Sequence, residues 1–440
     1  MGLQRLARSK PCSCSFGGLG PMKALRGTST VLFLITAAIA LSIDPLEGLP
    51  AAAAALPSGI GYLLCRNPAK DSKLERAGNG WPGREPTKAG GALAGQPHAS
   101  GTEVGKTVAL DIMDQFKTTG INKTRSSRQE DELVARRRNG DASGLRIMVT
   151  GANAGIGFWT SLQLARRGAE VIMACRDSRK AETAATAIRA RVPGARLRLT
   201  TLDVASLGSV AAAVAELERL EHLDVLIANA GMVHAPSARQ RSVDGLELVA
   251  ATNFFGHFAL VAGLLPVLER APAARLVTLG SLSTLLVRPH LDDPQLEGNY
   301  SSWQAYAQSK IMLQSFAFEL DRRLQRTTFT TRALSTHPGY SLSGRTPRIA
   351  GVNEPGTFKR VVDTLQAPFT QGKDHGAWPI VRAAVDPDAF SAPGPVFYGP
   401  RGVVKGGPRK ATPASITTDP EVAATIWKAA ESATGISFLG

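Results

Sequence analysis

Short apolar runs alternate with amphipathic stretches from about Leu145 onward, and this alternation predicts strands interleaved with helices. The apolar "IMV" at Ile147 to Val149 leads into a crowded turn holding Gly151, Gly155 and Gly157. "FWTSLQLARRG" then falls at helical spacing and is closed by Gly168. "EVIMACRD", "LRLTTLDVAS" and "HLDVLIANAG" read as a second, third and fourth strand. Helical crossovers place successive strands parallel, so the pattern predicts an α/β fold: one doubly wound domain, with a mostly parallel sheet and helices on both faces.

Residues 1–140 lack this periodicity. Their Gly-, Ala- and Pro-rich composition, as in "RAGNGWPGREPTKAGGALAGQPHASG", cannot bury enough apolar surface to offset the entropy of ordering. A long disordered N-terminal extension is therefore expected ahead of a domain over 145–440. Within the extension, residues 31–43 form an apolar core preceded by basic residues, with a small-residue "AIA" at Ala38 to Ala40. The core suits a signal peptide and falls short of the ~20 residues that span a bilayer. Met22 opens "MKALRG", a better basic start than the true N-terminus. Passage into the secretory route, a two-part organelle presequence and an uncleaved membrane anchor stay open. An over-extended reading of the gene, leaving a cytoplasmic protein, is the untargeted alternative.

Charge and cysteines narrow the chemistry. The net charge of +15 divides into +7 over residues 1–144 and +8 over the rest. No aromatic–basic stripe accompanies it, so a solvated basic surface is expected and no nucleic-acid partner. Of Cys12, Cys14, Cys65 and Cys175, only Cys175 lies in the periodic region, which excludes a disulfide framework or a paired-cysteine metal site there. No His/Cys/Asp spacing suits a metal, and none is expected.

Strand, glycine turn and helix N-terminus together make an anion site, because unpaired backbone N–H groups and the helix dipole converge on one spot. In dinucleotide folds, a carboxylate roughly 20 residues beyond the glycines grips the ribose 2′-hydroxyl. Here Cys175 and Arg176 stand in that place, which favours a 2′-phosphate and hence NADP; Asp177 follows immediately and would blunt the preference. Asp203 and Val204 end the third strand, where an acceptor and a donor can read an adenine edge; Asp203 serves equally well as a helix cap. Asn229, Ala230 and Gly231 let the backbone approach a flat ring or ribose. Tyr306 and Lys310, four apart on a helix, project from one face, where an ammonium would lower the tyrosine pKa.

"TGANAGIG", "NAG", "TNFFGHFAL", "RLVTLGSLS" and "YAQSK" occur in the order and spacing of the short-chain dehydrogenase/reductase family, which the chain resembles over about Leu145 to Phe438. "VIMACRD", "WQAYAQSK" and "HPG" are similar to its retinol-dehydrogenase and protochlorophyllide-reductase branch. The resemblance implies a Rossmann fold and an NADP(H)-dependent enzyme. It implies Tyr306 as general acid/base, Lys310 beside it and on the nicotinamide ribose, Ser281 on the reacting oxygen, and Asn253 holding a proton-carrying water. Ser283 competes with Ser281 for its role. Gly151, Asn153, Gly155, Ile156 and Gly157 would hold the pyrophosphate, with Pro338 and Gly339 over the nicotinamide. Two departures stand out: Ser343 occupies the place of a carboxamide-binding threonine, and Leu313 that of a helix asparagine. His257 is expected to pack against the glycine beside it.

The implied reaction interconverts a carbonyl and an alcohol on an apolar small molecule, retinoid-, steroid- or lipid-aldehyde-like, with "STLLVRPHL" walling the pocket. Its alternatives are reduction of a carbon–carbon double bond and a non-catalytic NADP-binding sensor. A homodimer through the helices of Asn253 and Tyr306 is common in the family.

Overall fold

The structure, a computed structural model, describes residues 140–439. The apolar segment 31–43, Cys12, Cys14, Cys65 and the glycine-rich linker lie outside the described residues. Six strands, β1 (Arg146–Thr150), β2 (Glu170–Cys175), β3 (Arg196–Thr201), β4 (Val225–Ala228), β5 (Arg275–Leu279) and β6 (Arg332–Thr336), alternate with helices. These are α1 (Gly155–Arg166), α2 (Ser178–Arg189), α3 (Leu207–Leu217), α4 (Leu248–Leu268) and α5 (Ser302–Leu324). Beyond β6 come a two-residue pair, β7 (Ser341–Leu342) with β8 (Gln371–Gly372), and helices α6 (Thr357–Leu365) and α7 (Trp378–Val385). The hairpin β9 (Phe397–Pro400) and β10 (Pro408–Lys410) and helix α8 (Pro420–Thr434) complete the fold.

The main sheet runs β10-β9-β6-β5-β4-β1-β2-β3 and is parallel apart from the β9–β10 hairpin. Strand order reverses between β1 and β4, which opens a crevice at their carboxyl ends. The two-residue period of each strand feeds two cores. Met148, Ile172, Leu226 and Leu276 face α3, α4, α5 and α8. Ile147, Val149, Val171, Met173 and Val277 face α1, α2 and α7. The first core is knit by aromatic contacts: Phe258 meets Phe316 and Trp427 at 5.4 Å each, and Trp427 meets Phe438 at 5.0 Å.

Among the described residues only α4 is long and apolar enough to cross a membrane, and 89% of its apolar window is buried inside the fold. Every residue from Gly256 to Leu268 is buried, as is every α5 residue from Ala307 to Asp321. Helices α3 and α8 of the same chain pack on them, so the two helices expected to pair across a dimer have little free face left. After an opening α-helical stretch, Leu248–Ala250, α4 makes a π turn, Ala251–Phe255, that presents Asn253. Just after it, a Cβ on Gly256 would lie 1.7 Å from the Val204 carbonyl oxygen.

Gly256→Ala should therefore lower stability by about 1–3 kcal/mol or more, the cost of forcing a methyl into filled space. Gly208→Ala in α3, whose nearest neighbour is 3.9 Å away, should be neutral or gain up to about 1 kcal/mol. Urea unfolding of both variants checks the contrast.

Candidate active site

The crevice between β1 and β4 is lined by the glycine turn and by Asn229. Gly151 and Gly155 adopt positive φ, 66° and 57°, which only glycine tolerates freely. A Cβ on Gly157 would lie 2.3 Å from the Gly151 carbonyl oxygen and 2.4 Å from Asn229 Nδ2, so the helix start lies directly on the turn. The half-buried Asn153 and Ile156 complete it. The side-chain oxygen of Asn229 is buried and has no hydrogen-bond partner among the described residues.

Thr150, the last residue of β1, joins the turn to the rest of the site. Its hydroxyl oxygen accepts from the backbone N–H of Asn229 (3.0 Å) and of Ala230 (2.9 Å). It also lies 3.0 Å from His257 Nε2. Asn229 Nδ2 in turn donates to the Thr150 carbonyl at 2.7 Å. Burial holds the His257 pKa down at about 4, with the Lys310 charge adding to the effect, so its ring is neutral at pH 7. The expectation that His257 merely packs against its glycine is corrected: it bridges Thr150 and, through Nδ1 at 3.3 Å, the Asn253 carbonyl.

Tyr306, Ser281, Lys310 and Asn253 converge at the carboxyl ends of β4 and β5. Ser281 caps a short 3₁₀ turn after β5, and the Tyr306 hydroxyl donates to its Oγ at 3.1 Å. Ser283, by contrast, is buried and its hydroxyl has no partner among the described residues. Lys310 is buried and donates from Nζ to the Leu279 carbonyl at 2.8 Å. Asn253 donates to the Ser309 hydroxyl at 2.8 Å and accepts from the Met232 N–H at 2.7 Å. Gly231 lies between them: a Cβ there would stand 3.1 Å from Asn253 Oδ1 and 3.3 Å from Lys310 Nζ. Trp303, one turn before Tyr306, packs beside its ring, and Leu285 stands exposed after Ser281.

The charges differ from the sequence expectation in one respect. Burial raises the Tyr306 pKa, with the Ser281 hydrogen bond only partly opposing it. Burial likewise brings Lys310 down to about 8. The lysine stabilises the Leu279 carbonyl here, and desolvation dominates the phenol.

At the far end of the crevice, Arg176 and Asp203 face each other across the ends of β2 and β3 at 3.8 Å, with the Arg176 side chain 76% exposed. Asp203 Oδ1 accepts from the Ala205 N–H, and Val204 is buried. Asp177, the carboxylate next to Arg176 in sequence, caps α2, accepting from the Lys180 N–H at 3.0 Å. Cys175 is a buried thiol raised to about 11 by burial, hence inert at pH 7. Gly339 has φ 65°, and Pro338 accepts through its carbonyl from Ser341 Oγ and Gln371 Nε2. Ser343 and Leu313 play no visible part in the crevice: Ser343 opens a 3₁₀ turn, and Leu313 is buried in the core.

One residue of the crevice went unseen in the sequence. Lys373, which follows β8, extends over the glycine turn, with Nζ 3.8 Å from the position of a Gly155 Cβ. Burial and then Lys359 lower its pKa. No motif announces it; a lone lysine 218 positions beyond Gly155 carries no spacing signal.

Residues 146–349 match the family model described as short chain dehydrogenase. The chain is 36% identical to human retinol dehydrogenase 13 over 297 residues, covering 66% of this chain and 84% of that protein. It is 39% identical to mouse retinol dehydrogenase 12 over 201 residues, covering 46% of this chain and 62% of the relative, under two thirds of its length. Among solved structures it resembles an uncharacterized protein from Mycobacterium paratuberculosis, 34% identical with a TM-score of 0.54, over 68% of this chain and 96% of that one.

Thr150→Val should cost about 1–3 kcal/mol in urea unfolding, because the part-buried Ala230 N–H loses its acceptor and the buried Asn229 N–H keeps only the Ile227 carbonyl. Thr150→Ser, which keeps the oxygen, should recover most of the loss.

Proposed function

Because the chain belongs to the short-chain dehydrogenase family of nicotinamide-dependent oxidoreductases, we propose that it uses NADP(H) to interconvert a carbonyl and an alcohol on an apolar small molecule. The observation that carries the reading is the 3.1 Å hydrogen bond from the Tyr306 hydroxyl to Ser281, with Lys310 and Asn253 directly behind. When bound, the nicotinamide supplies or accepts the hydride at the substrate carbon. Tyr306 gives its phenolic proton to the carbonyl oxygen in reduction and takes it back in oxidation. Ser281 holds that oxygen in place. Lys310 and Asn253 carry the replacement proton toward the phenol. Burial keeps Tyr306 a neutral phenol, the form that donates the proton in the reductive direction.

The residues present fit the cofactor. The cradle of Gly151, Gly155 and Gly157 has no room for a side chain at Gly157, and the half-buried Lys373 ammonium over it complements an anion. Gly151, Asn153, Gly155, Ile156, Gly157 and Lys373 would hold the pyrophosphate. Arg176 would take the 2′-phosphate, and Asp203 and Val204 the adenine. Asn229, Ala230, Gly231 and Lys310 would hold the nicotinamide ribose, with Pro338 and Gly339 over the ring. The engagement of Asp177 as a helix cap supports NADP over NAD. An apolar substrate is supported by Trp303 and Leu285 beside the reacting pair and by the similarity to retinol dehydrogenases. The apolar core at 31–43 would direct the chain to a membrane system.

Tyr306→Phe should lower turnover of apolar aldehydes about 10²–10⁴-fold while NADPH binding, followed by fluorescence titration, survives. Binding without turnover by the unaltered chain on any carbonyl would favour the double-bond reductase or the sensor. Arg176→Ala should weaken NADPH about tenfold and leave NADH unchanged, the size of one charge-assisted contact. Lys373→Met should weaken both cofactors alike. For reduction, kcat/KM for NADPH, which reports the cofactor-free chain, should fall as pH rises through about 8, where Lys310 loses its proton; a profile flat to pH 10 would remove the ammonium from the mechanism.

A further inference from the structure

Helix α6 is the most exposed apolar surface of the described chain. Phe358 (83% exposed), Val361 (55%), Val362 (37%) and Leu365 (78%) recur at i, i+3, i+4 and i+7, so they form one stripe facing away from the fold. A core helix would turn that stripe inward; here the buried side of α6 is polar. Asp363 accepts from the Gly344 N–H at 2.7 Å, which fastens α6 to the loop following Pro338 and Gly339. The Tyr340 hydroxyl reaches Gln366 just past the helix. The β9–β10 hairpin abuts the same end: Lys405 Nζ donates to the Ala367 carbonyl, and Val403 at its tip is 46% exposed.

The surroundings of the stripe are basic. Residues 345–366 and 401–410 hold eight Lys or Arg against two carboxylates, Glu354 and Asp363. Both carboxylates are already engaged, by Arg348 and by Lys359. An apolar stripe rimmed by uncompensated cations matches the chemistry of a phospholipid surface carrying acidic headgroups.

We propose that α6, with Val403 of the hairpin, docks on an anionic phospholipid bilayer and holds the end of the crevice near Pro338 and Gly339 at the membrane, from which the apolar substrate is drawn. The delivery of substrate rests on the function proposed above; the docking does not.

The test uses the full chain with Cys12, Cys14 and Cys65 changed to Ser and Val361→Cys labelled with the environment-sensitive NBD fluorophore. Vesicles of phosphatidylcholine with phosphatidylserine should shift the label to the blue and raise its emission several-fold, and high salt should weaken the effect. F358E/L365E, at two exposed positions that leave the fold intact, should abolish the response. The same variant should raise KM about tenfold for a long-chain aldehyde presented in vesicles, with kcat unchanged and a water-soluble aldehyde turned over as before. A label that stays in water while the chain sediments with vesicles would overturn the proposal and assign binding to residues 31–43 alone. A label already shielded without vesicles would do the same, as cover by the chain itself or, if F358E/L365E breaks an oligomer, by a second copy. If no carbonyl is reduced at all, the proposed function fails, and the fluorescence response still decides the docking.

Discussion

The start of α1 lies against the turn that follows β1 so closely that Gly157 has no room for a Cβ between the Gly151 carbonyl and the Asn229 amide. This contact sets the distance between β1, α1 and the end of β4. It brings a helix N-terminus, a positive-φ turn and the Asn229–Gly231 segment to one crevice at the point where strand order reverses. Thr150 then converts proximity into rigidity, since its hydroxyl serves two backbone N–H groups and sits against a neutral histidine. Through His257 the same network reaches the Asn253 carbonyl, so the floor of the glycine turn and the π turn of α4 are parts of one hydrogen-bonded unit. A buried polar network of this kind specifies one arrangement because each unsatisfied member would be costly.

Much of this was legible beforehand, for physical reasons. Buried parallel strands are near-continuous apolar runs, and the glycines of "TGANAGIG" are required by backbone geometry that no other residue meets cheaply, so both leave a signal in one dimension. Tyr306 and Lys310 share a helix face through simple periodicity. The partnership of Tyr306 with Ser281, 25 residues earlier, was accessible only by resemblance. What periodicity could not give is burial. The sequence places an ammonium near a phenol, and the natural expectation is a lowered tyrosine pKa. The folded chain instead removes both groups from water and gives the lysine a carbonyl partner, so desolvation outweighs the pair interaction. Asp177 is a similar case: its position beside Arg176 looks like competition for a ribose, and its actual partner is the N-terminus of α2.

The least legible features belong to the segment beyond β6. Lys373 reaches Gly155 only because β7 and β8 pair and fold that segment back over the crevice. The apolar stripe of α6, which the sequence analysis did not single out, faces outward in the structure. Periodicity reports that a helix has two faces; which face meets the protein depends on the polar anchors, here Asp363 on the Gly344 N–H and Lys405 on the Ala367 carbonyl.

These observations together divide the carboxyl end of the sheet into regions of opposite solvation. Over the glycine turn, Lys373 carries a charge that burial and a neighbouring lysine disfavour, and Lys310 is likewise depressed at the reacting end. A folded chain that holds two cations at a desolvation cost is stabilised by any anion that reaches them, and the same anion raises their pKa values back toward those in water. The crevice is thus incomplete in charge, while the segment that covers it is incomplete in apolar contacts. On the proposals above, an anionic dinucleotide would offset the first and a bilayer the second. Lys373 and α6 belong to one segment, residues 338–373, which the Gly344–Asp363 and Thr346–Lys373 hydrogen bonds tie together.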